Sequence, residues 1–487
     1  MNVVKKTKKK KIKKSLLFKI LSLVVAFISL IVYIYFVKLE LIPFKYLILL
    51  FIILFSIDAF LYFLMSLKNY RMRLLGTILS FLLIFSYGYL LYYQNVTENF
   101  LKNISFLNIQ TETYYILVLK ESSYNTLEDL ENKEIDYLES KKGALKAFQT
   151  LSKRVSLNDR TITDTTTLIS RLKKGYTAAI LMEKEEFNLY KEMDTSFSEM
   201  VKIIDTLEVS YEKENIAKEV EITKEPFNLY ITGIDTYGKI SSVSRSDVNM
   251  VVSLNPLTHQ VLLTSIPRDY YVSVFGSEND LKDKLTHTGL RGVDVTVKTI
   301  ENLLDTDINY YARLNFTSLV KIVDAIGGIT VTNPFLFTAD YEEGEEHIYY
   351  VFKEGDITLN GKQALAYVRE RYNLREGDVA RTRHQQQVIK GIVNKITSPS
   401  ILIKYPEIIG SLEGNFTTNM SLDTIKSFFE WQLDTMGSWD ISSNVLSGVD
   451  DYQKTLSMPD LYSYVMTPDE GSLKKAKEKI KEITKTS

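Results

Sequence analysis

The 487-residue chain contains no cysteine, and this absence excludes a disulfide framework, a thiolate metal site and a cysteine nucleophile. Histidine is scarce as well, and the four that are present are too scattered to predict a zinc site: His259, His287, His347 and His384. Each of them is expected to be a surface or structural residue. The formal net charge of −1 argues against a general nucleic-acid binder, so no nucleic acid is expected as a partner.

Three common sequence motifs for phosphate binding and nucleophilic catalysis are also missing. The sequence has no Walker-type phosphate loop, no G-x-G-x-x-G fingerprint and no G-x-S-x-G elbow. A hydrophobic content of 45% and a charged content of 24% nevertheless indicate a folded protein. The length suggests roughly two to four domains.

Long apolar runs dominate the beginning of the chain. A lysine-rich tail over residues 1–14 precedes a predicted anchor over residues 15–94. Within it, Ile20–Phe36, Tyr46–Leu67 and Leu74–Tyr93 approach or exceed the roughly 20 residues that cross a bilayer. The basic tail and the basic second connection, KNYRMR, are expected to be cytoplasmic. Three spans then place everything after the anchor outside, so a multi-pass protein of the cell membrane is expected.

Residues 95–225 are predicted to form a small α/β accessory domain outside the membrane. YYILVLK (114–120) and AAILM (178–182) are typical of buried strands. LEDLENKEIDYL, KGALKAFQTLSKR and TTTLISRLKKG predict short helices between those strands, and such alternation indicates an α/β fold. The charged residues 211–225 predict a linking segment. No catalytic constellation stands out in this region, so an accessory or interaction role is expected.

The remaining domain, residues 226–487, opens with three predicted strands that have charged residues at their ends. The first strand ends in Asp235, the second is preceded by Arg245 and Asp247, and the third is followed by Arg268. Antiparallel pairing brings Asp235, Asp247 and Arg268 to one end of the sheet. Aspartates are common in turns, which is the alternative explanation. Mixed charges are, however, expensive to bury unless they are paired or bind something.

A second group of charges lies in ALAYVRERYNLREGDVARTRHQQQ, residues 364–387, which holds five arginines: Arg369, Arg371, Arg375, Arg381 and Arg383. The planar guanidinium suits phosphate or carboxylate, although a solvated charged face is the alternative. If AYVRERY is extended, Arg369 and Arg371 share one face. Arg375 and Arg383 are expected to be surface charges.

The residues after this segment predict a helix that begins at Asp378 as its N-cap. On that helix Arg381 and Gln385 precede an apolar stripe at intervals of three or four residues: Ile389, Ile392 and Ile396. The face therefore changes from polar to apolar along the helix. An anion is expected at its N-terminal end, with apolar residues directly beyond it.

Other parts of this domain receive simpler predictions. DLKDKLTHTGLRG is expected to be a loop, from which Lys284 either reaches an anion or is solvated. TADYEEGEEHIYYVFKEGDITL is expected to be an exposed loop followed by strand pieces. Residues 470–487 are expected to be frayed. One aromatic and aliphatic group is either ordinary core or the wall of an apolar tunnel: Tyr310, Tyr311, Phe316, Leu319 and Ile322.

Six motifs in this order resemble those of the LytR–CpsA–Psr family: GIDTYG, SRSDVNMVVSLNP, LLTSIPRD, DKLTHTG, NFTSLVKIVDAIGGITV and ALAYVRERYNLREGDVARTRHQQQ. The three spans and the accessory domain look most like the CpsA-like capsule-biosynthesis branch of streptococci and relatives. The resemblance implies an extracellular α/β domain with a mixed central sheet flanked by helices. It also implies a phosphotransferase that moves capsular polysaccharide from a polyprenyl-pyrophosphate carrier to peptidoglycan. The lipid bilayer and capsule assembly proteins are further expected partners.

The resemblance carries roles to individual positions of this chain. Asp235 and Asp247 match aspartates that the family associates with Mg²⁺, with Mn²⁺ as the alternative ion. Asp247 and Arg268 are the expected catalytic residues, and whether Asp247 acts as base or only as metal ligand stays open. His384 stands where many members have arginine, and it is assigned no role. Pyrophosphate contacts are implied at Arg245, Arg268, Lys284, Arg369, Arg371, Arg381 and Gln385.

Two other functions are compatible with the same residues. A regulator or scaffold of the capsule assembly complex would bind the lipid carrier without turnover. A pyrophosphatase would use the same site with water as the acceptor.

Overall fold

The computed structural model describes most of the chain, with short gaps. Asp235, Arg375 and the predicted helix LIKYPEIIGSLEGN lie outside the described residues. The described residues are 2–38, 42–105, 109–139, 141–193, 195–212, 215–234, 244–343, 346–371, 373–374, 377–398 and 416–485.

Three long helices form the N-terminal part: α1 (Asn2–Lys38), α2 (Phe44–Ser66) and α3 (Tyr70–Ser105). Each contains a stretch of 23 residues that is long and apolar enough to cross a membrane. The three predicted spans are therefore confirmed as apolar helices. Helix α3 continues well beyond its apolar stretch, which ends at Tyr92, and leads toward the first strand of the accessory domain.

A polar contact joins the three helices inside this apolar bundle. The hydroxyl of Ser29 donates to Asp58 Oδ1 at 3.0 Å, and its oxygen lies 2.8 Å from the hydroxyl of Tyr87. Each of these residues belongs to a different helix. Because polar groups in an apolar medium are stable only when they are hydrogen-bonded, this contact fixes how the helices face one another.

The accessory domain is a five-stranded sheet with helices, as predicted. The strand order is β3-β2-β4-β1-β5, in which β2 is parallel to β3 and β4, and β1 is antiparallel to β4 and β5. Its elements are β1 (Ile109–Leu119), β2 (Glu134–Leu138), α4 (Lys142–Leu151), β3 (Asn158–Ile162), α5 (Thr165–Lys173), β4 (Ala179–Glu183), α6 (Lys184–Met193), α7 (Thr195–Met200) and β5 (Val201–Glu212).

One predicted helix of this domain is wrong. LEDLENKEIDYL forms a short 3-10 turn at Glu128–Leu130 and then the strand β2. Ile135 and Tyr137 are buried, and so is Asp136, whose charge is paired with Arg171 at 2.5 Å. A parallel strand that is covered on both faces lacks the alternation that identifies a strand in sequence.

The charged segment 211–225 is not a free linker. It packs onto the following domain, where Ile222 is buried and Glu219 accepts a hydrogen bond from the Tyr310 hydroxyl at 2.9 Å. A second contact between the domains involves Lys141 on the accessory side. Its ammonium lies 3.0 Å from Glu183 and donates to the carbonyl of Leu290 at 2.8 Å. The accessory domain is thus attached to its neighbour by buried polar contacts.

The second domain is built on a mixed six-stranded sheet, as predicted. Strands β6 (Phe227–Ile234), β7 (Val248–Asn255) and β8 (Gln260–Ser265) are successive antiparallel neighbours, β11 (Tyr310–Asn315) is parallel to β6, and β17 (Asp440–Val445) is parallel to β8. The first elements are β6 (Phe227–Ile234), β7 (Val248–Asn255), β8 (Gln260–Ser265), β9 (Tyr271–Ser273), β10 (Lys282–Lys284), α8 (Leu285–Thr288), α9 (Val293–Leu304), β11 (Tyr310–Asn315) and α10 (Phe316–Ala325).

The rest of the domain covers this sheet and adds small two-stranded sheets at its side. The sheet order is β16-β11-β6-β7-β8-β17. The remaining elements are β12 (Ile329–Asn333), β13 (Phe337–Glu343), β14 (Glu346–Phe352), β15 (Gly355–Leu359), α11 (Gly361–Arg369), α12 (Gly377–Ile396), β16 (Phe416–Thr418), α13 (Leu422–Thr435), β17 (Asp440–Val445), β18 (Gly448–Thr455), β19 (Met458–Pro468) and α14 (Glu470–Ile483).

Helices cover both faces of the sheet. On one face, α9 and α14 pack onto Tyr230, Val251 and Leu262. On the other face, Ile389 of α12 packs onto the β7 side chains Met250 and Val252. Because successive strand residues alternate between faces, one strand supplies both cores. The helices α10, α11 and α12 form a second core beside the sheet.

Three predictions of irregular structure in this domain are wrong. DLKDKLTHTGLRG contains β10 and α8, because Asp283 is buried and held by His287 at 2.8 Å and by Ser457. TADYEE is the strand β13, paired with β14. The C-terminal residues 470–483 form α14, which buries Leu473, Ala476 and Ile480 against the sheet.

Buried Asp283 illustrates how such a segment is held. Burial alone raises the pKa of this carboxyl, but hydrogen bonds and the charge of His287, with the hydroxyl of Ser457, bring that pKa below its ordinary value. Ser457 comes from the β18–β19 hairpin, far along the chain. The loop prediction failed because the partner that orders Asp283 is distant in sequence.

Candidate functional site

A cavity of about 420 Å³ lies between the central sheet and the helices α10, α11 and α12. One end is polar and the other is apolar. Its lining residues are Ile231, Thr232, Gly233, Ile234, Asp247, Val248, Arg268, Leu314, Asn315, Phe316, Leu319, Val368, Arg369, Arg371, Arg381, Gln385, Val388 and Ile389.

Asp247 and Arg268 meet at the polar end through the strand pairing that the sequence predicted. Asp247 directly precedes β7 and Arg268 follows β8, so the antiparallel pair brings them together. Arg268 Nη1 lies 2.9 Å from Asp247 Oδ1, and the hydroxyl of Thr286 donates to the same oxygen at 3.4 Å. Both charged side chains remain partly exposed, at 26% for Arg268 and 19% for Asp247. The pair is thus accessible from the cavity.

A further acidic residue links Arg268 to Lys284. Asp269 Oδ2 lies 3.5 Å from Arg268 Nε, and Asp269 Oδ1 lies 3.3 Å from Lys284 Nζ. Lys284 is not among the residues that line the cavity, yet its side chain is only 15% exposed and is not freely solvated. Its role as a pyrophosphate contact stays a prediction. In this structure it holds Asp269, which in turn contacts the arginine at the cavity.

Arg369 and Arg371 both line the cavity, but not for the predicted reason. Their segment is not an extended strand, since Arg369 is the last residue of helix α11. That helix starts with a capping box in which Asn360 accepts from the backbone N–H of Gln363, and Gln363 accepts in return. Glu370 then adopts extended backbone and carries Arg371 onward. The chain's exit from the helix therefore points both guanidinium groups at one cavity.

Arg369 also lies over an apolar wall residue. Its guanidinium carbon is 4.5 Å from the centre of the Phe316 ring, a cation–π contact. Phe316 is the first residue of α10, which follows Asn315, its N-cap. Asn315 also lines the cavity and was not among the predicted site residues, although the N-x-x-S pattern with Ser318 indicates a helix start at that point.

Helix α12 presents Arg381 and Gln385 to the cavity, as the predicted stripe requires. The stripe continues into Ile389, which lines the cavity and packs on the sheet. Arg383 is exposed, which confirms that prediction. The predicted N-cap is wrong, because the helix already includes Gly377 and so contains Asp378 in its first turn.

His384 is the buried residue that packs α11 against α12. Its ring stacks on Tyr367 with centroids 4.1 Å apart, and it lies 5.0 Å from the ring of Phe337. Nδ1 lies 3.1 Å from the Tyr367 carbonyl oxygen. Burial lowers the pKa of His384 to about 4, so the ring is neutral at physiological pH. A structural role, as expected for the histidines, is confirmed here.

The apolar end of the cavity resolves the choice between core and tunnel wall. Tyr310, Tyr311 and Ile322 are buried core residues, whereas Phe316 and Leu319 line the cavity. The core interpretation is confirmed for the first three residues, and the other two line the cavity instead. The remaining apolar lining residues are Ile231, Ile234, Val248, Leu314, Val368, Val388 and Ile389.

The donor set at the polar end fits a small divalent cation that shares its shell with phosphates. Asp247 is the one carboxylate among the described residues that line the cavity, and Asp235 lies outside the described residues. Mg²⁺ is typically bound by one or two carboxylates together with substrate phosphates. Arg245 is half-buried near Asp247 in sequence but does not line the cavity. The metal and Arg245 assignments stay predictions.

Taken together, the cavity suits an amphipathic anion. Guanidinium groups bind phosphate oxygens with paired N–H donors, and the apolar walls remove hydrocarbon from water. The charged side chains at the polar end can therefore stabilise negative charge on such a ligand.

Comparison with known proteins identifies the family of the chain. The LytR_cpsA_psr family model matches residues 194–482. The Bacillus subtilis (strain 168) polyisoprenyl-teichoic acid–peptidoglycan teichoic acid transferase TagU is 36% identical over 229 residues, which are 47% of this chain and 67% of that protein. A protein of the same name from Enterococcus faecalis (strain ATCC 700802 / V583) is 36% identical over 227 residues, or 45% of this chain and 71% of its own.

Among solved structures, that of B. subtilis TagV covers 54% of this chain and 99% of its own, with 30% identity and a TM-score of 0.45. The family model begins inside the accessory domain, before the predicted boundary at residue 226. It spans more than half of the chain. The protein belongs to the LytR_cpsA_psr family.

Proposed function

We propose that this protein is a membrane-anchored phosphotransferase that moves a glycopolymer from a polyprenyl-pyrophosphate carrier to peptidoglycan. The observation that carries the proposal is one cavity with guanidinium groups and Asp247 at one end and apolar walls at the other. Relatives named as polyisoprenyl-teichoic acid–peptidoglycan teichoic acid transferases support the reaction class. The three-span anchor and the accessory domain favour capsular polysaccharide as the polymer.

The pyrophosphate occupies the polar end in this proposal. Arg369, Arg371 and Arg381 donate to its oxygens with Gln385, and the prenyl chain lies along the apolar walls. Because Arg369 and Arg381 belong to helices and Arg371 directly follows the end of α11, these groups stabilise charge on the transferring phosphoryl group without rearrangement in this proposal.

The transfer itself is a substitution at phosphorus. A hydroxyl oxygen of peptidoglycan attacks the phosphorus that carries the polymer, a new P–O bond forms, and the bridging P–O bond of the pyrophosphate breaks. Polyprenyl phosphate leaves with the electron pair, and the hydroxyl proton is released. In this proposal Asp247 accepts that proton or acts only as a metal ligand, and Arg268, which lies 2.9 Å from it, neutralises charge beside it.

Asp247, with Asp235, would also hold Mg²⁺ or Mn²⁺ at the pyrophosphate. When bound, that ion supplies further neutralisation of phosphate charge. Arg245, two residues before Asp247, would add a further contact to the pyrophosphate. Lys284 would act through Asp269, which it contacts at 3.3 Å.

The proposed topology has the N-terminal tail in the cytoplasm and both domains outside. The start of α2 supports it, because Lys45 contacts Asp434 of the second domain at 2.8 Å. The connection between the first two spans therefore lies on the same side of the membrane as this domain. A cytoplasmic tail requires that side to be the outer one.

The test uses the full chain in detergent with lipid-linked polysaccharide and peptidoglycan, with and without Mg²⁺. Covalent transfer of polymer is expected for the native protein and not for Asp247→Ala or Arg268→Ala. If the native protein and both variants bind the carrier but none of them transfers polymer, the protein is instead a regulator or scaffold. Phosphate release without peptidoglycan would identify a pyrophosphatase.

A further inference from the structure

The two tryptophans of the chain lie side by side, with ring centroids 5.8 Å apart. Trp431 is in the last turns of α13, and Trp439 directly precedes β17. His259, in the turn between β7 and β8, stacks on Trp431 at 5.1 Å and lies 5.3 Å from Trp439. We call Leu257, Trp431, Met436 and Trp439 the tryptophan patch.

The patch keeps apolar surface exposed. Leu257, two residues before His259, is 54% exposed, and Met436 is 36% exposed. Trp431 and Trp439 are half-buried, and Trp439 Nε1 donates to Gln432 Oε1 at 2.9 Å. Exposed aliphatic side chains beside amphipathic aromatic rings are typical of surfaces that contact another phase or partner.

The membrane anchor contacts the second domain directly beside this patch. Lys45 donates to the Asp434 carbonyl at 2.6 Å and lies 2.8 Å from its carboxylate. The Tyr46 hydroxyl donates to the Leu433 carbonyl at 3.3 Å. Lys45 and Tyr46 stand at the start of the second apolar stretch, where the helix leaves the hydrocarbon.

Asp434 therefore marks the level of the membrane–water interface on the second domain. Trp431 lies about one helical turn before Asp434, and Met436 follows two residues after it. The contact with Lys45 neutralises Asp434, so the patch does not present its carboxylate to anionic lipid. Tryptophan is the residue that most favours the headgroup level of a bilayer.

We infer that the tryptophan patch rests in the headgroup region of the outer leaflet and that its partner is the phospholipid surface. The inference depends on the spanning anchor and not on the transfer reaction. It also orients the domain, because the β7–β8 turn is at the opposite end of β7 from Asp247. Eight residues of strand from Val248 to Asn255, at about 3.3 Å each, hold Asp247 up to about 26 Å above the patch.

Tryptophan fluorescence tests this placement without labelling, because both tryptophans belong to the patch. The full chain is reconstituted in phosphatidylcholine–phosphatidylglycerol vesicles that contain lipid with a doxyl quencher at carbon 5 or at carbon 16. The shallow quencher is expected to remove at least about half of the emission and the deep quencher clearly less. Emission that neither lipid quenches would overturn the inference, and so would stronger quenching by the deep probe.

Variants assign the signal and separate contact from folding. Trp431→Phe and Trp439→Phe each leave one reporter, and both single reporters are expected to be quenched by the shallow probe. The double variant Leu257→Glu/Met436→Glu is expected to lower quenching at least twofold with an unchanged circular dichroism spectrum. A matched pair on the exposed side of the β13–β14 hairpin, Tyr349→Glu/Val351→Glu, is the control that should leave quenching unchanged. Equal loss in both pairs would contradict the inference.

Discussion

Arg268 Nη1 and Asp247 Oδ1 lie 2.9 Å apart at the polar end of the cavity, although 21 positions separate them in the chain. The antiparallel strands β7 and β8 create this pair, and neither residue is part of a helix or strand itself. An anion that binds at Arg268 must share the guanidinium with Asp247. The pair therefore brings a guanidinium group and a carboxylate to one point of the cavity lining.

Replacing Asp247 tests the chemical role of this pair. Asp247→Asn keeps the shape but removes the charge, and we expect polymer transfer to fall by about 100-fold or more, the scale of losing one preorganised electrostatic group. Rates are measured with lipid-linked polysaccharide and peptidoglycan. Asp340→Asn, on the exposed β13–β14 hairpin, is the control and should keep full activity. Full activity of Asp247→Asn would remove this residue from the mechanism.

Arg381 and Arg383 form a matched pair on helix α12, because only Arg381 lines the cavity. Arg381→Ala should weaken binding of farnesyl pyrophosphate by about 10- to 100-fold, as expected for a charge-assisted hydrogen bond. Arg383→Ala removes the same charge from the exposed face and should change the affinity less than twofold. Calorimetric titration gives both values. Equal effects would mean that net charge, rather than the cavity, determines binding.

The apolar wall is tested by filling it. Leu319 is half-buried and lines the cavity, so Leu319→Trp adds volume where the prenyl chain is proposed to lie. We expect affinity for long-chain prenyl pyrophosphates to fall at least tenfold, while affinity for inorganic pyrophosphate stays the same. Competition binding with both ligands measures the difference. A parallel loss for both ligands would indicate a general distortion of the site.

The buried ring of His384 gives the fold an acid-sensitive contribution. Its pKa is lowered from 6.5 to about 4 by burial, so the unfolded chain takes up this proton first as the pH falls. The stability that depends on the neutral ring is present above pH 6.5 and is lost as the pH falls toward about 4. Thermal unfolding of His384→Phe should lack this part of the pH dependence. An unchanged profile would contradict the assignment.

Glu183 in the accessory domain makes stability depend on pH in the opposite direction, because its pKa is raised. Burial and the neighbouring charge of Glu112 raise its pKa to about 7, against the opposing charge of Lys141. Its contribution to stability is therefore present below pH 4.5 and is lost as the pH rises through about 7. Glu183→Gln should flatten the stability profile between these values. Limited proteolysis of the accessory domain across that range measures the effect.

The sequence was sufficient where local pattern and long-range packing agree. Strands β6, β7 and β8 were predicted from apolar runs and short-range order, and their pairing placed Asp247 beside Arg268. Arg381 and Gln385 followed from helical spacing. These predictions succeed because the spacing of residues along a strand or helix alone determines which face of that element each side chain occupies.

Tertiary contacts decided the remaining elements. Arg369 ends a helix because Asn360 caps it and because Leu365 and Val368 are buried, although AYVRERY also fits a strand. Asp283 is ordered by Ser457, which no local pattern reveals. The contact between Lys45 and Asp434 likewise joins residues from the two ends of the chain. Such partners become visible only when the chain is folded.

The apolar wall formed by Phe316, Leu319 and their neighbours has a thermodynamic consequence for the proposed carrier. A prenyl chain that enters this cavity from a bilayer exchanges one hydrocarbon environment for another, so the transfer of the chain itself contributes little free energy. The same chain entering from water would gain about 0.8 kcal/mol for each buried CH₂ group. For a carrier that enters from the membrane, the binding free energy therefore comes almost entirely from the charged head group. The apolar wall only replaces the hydrocarbon that surrounded the prenyl chain in the bilayer.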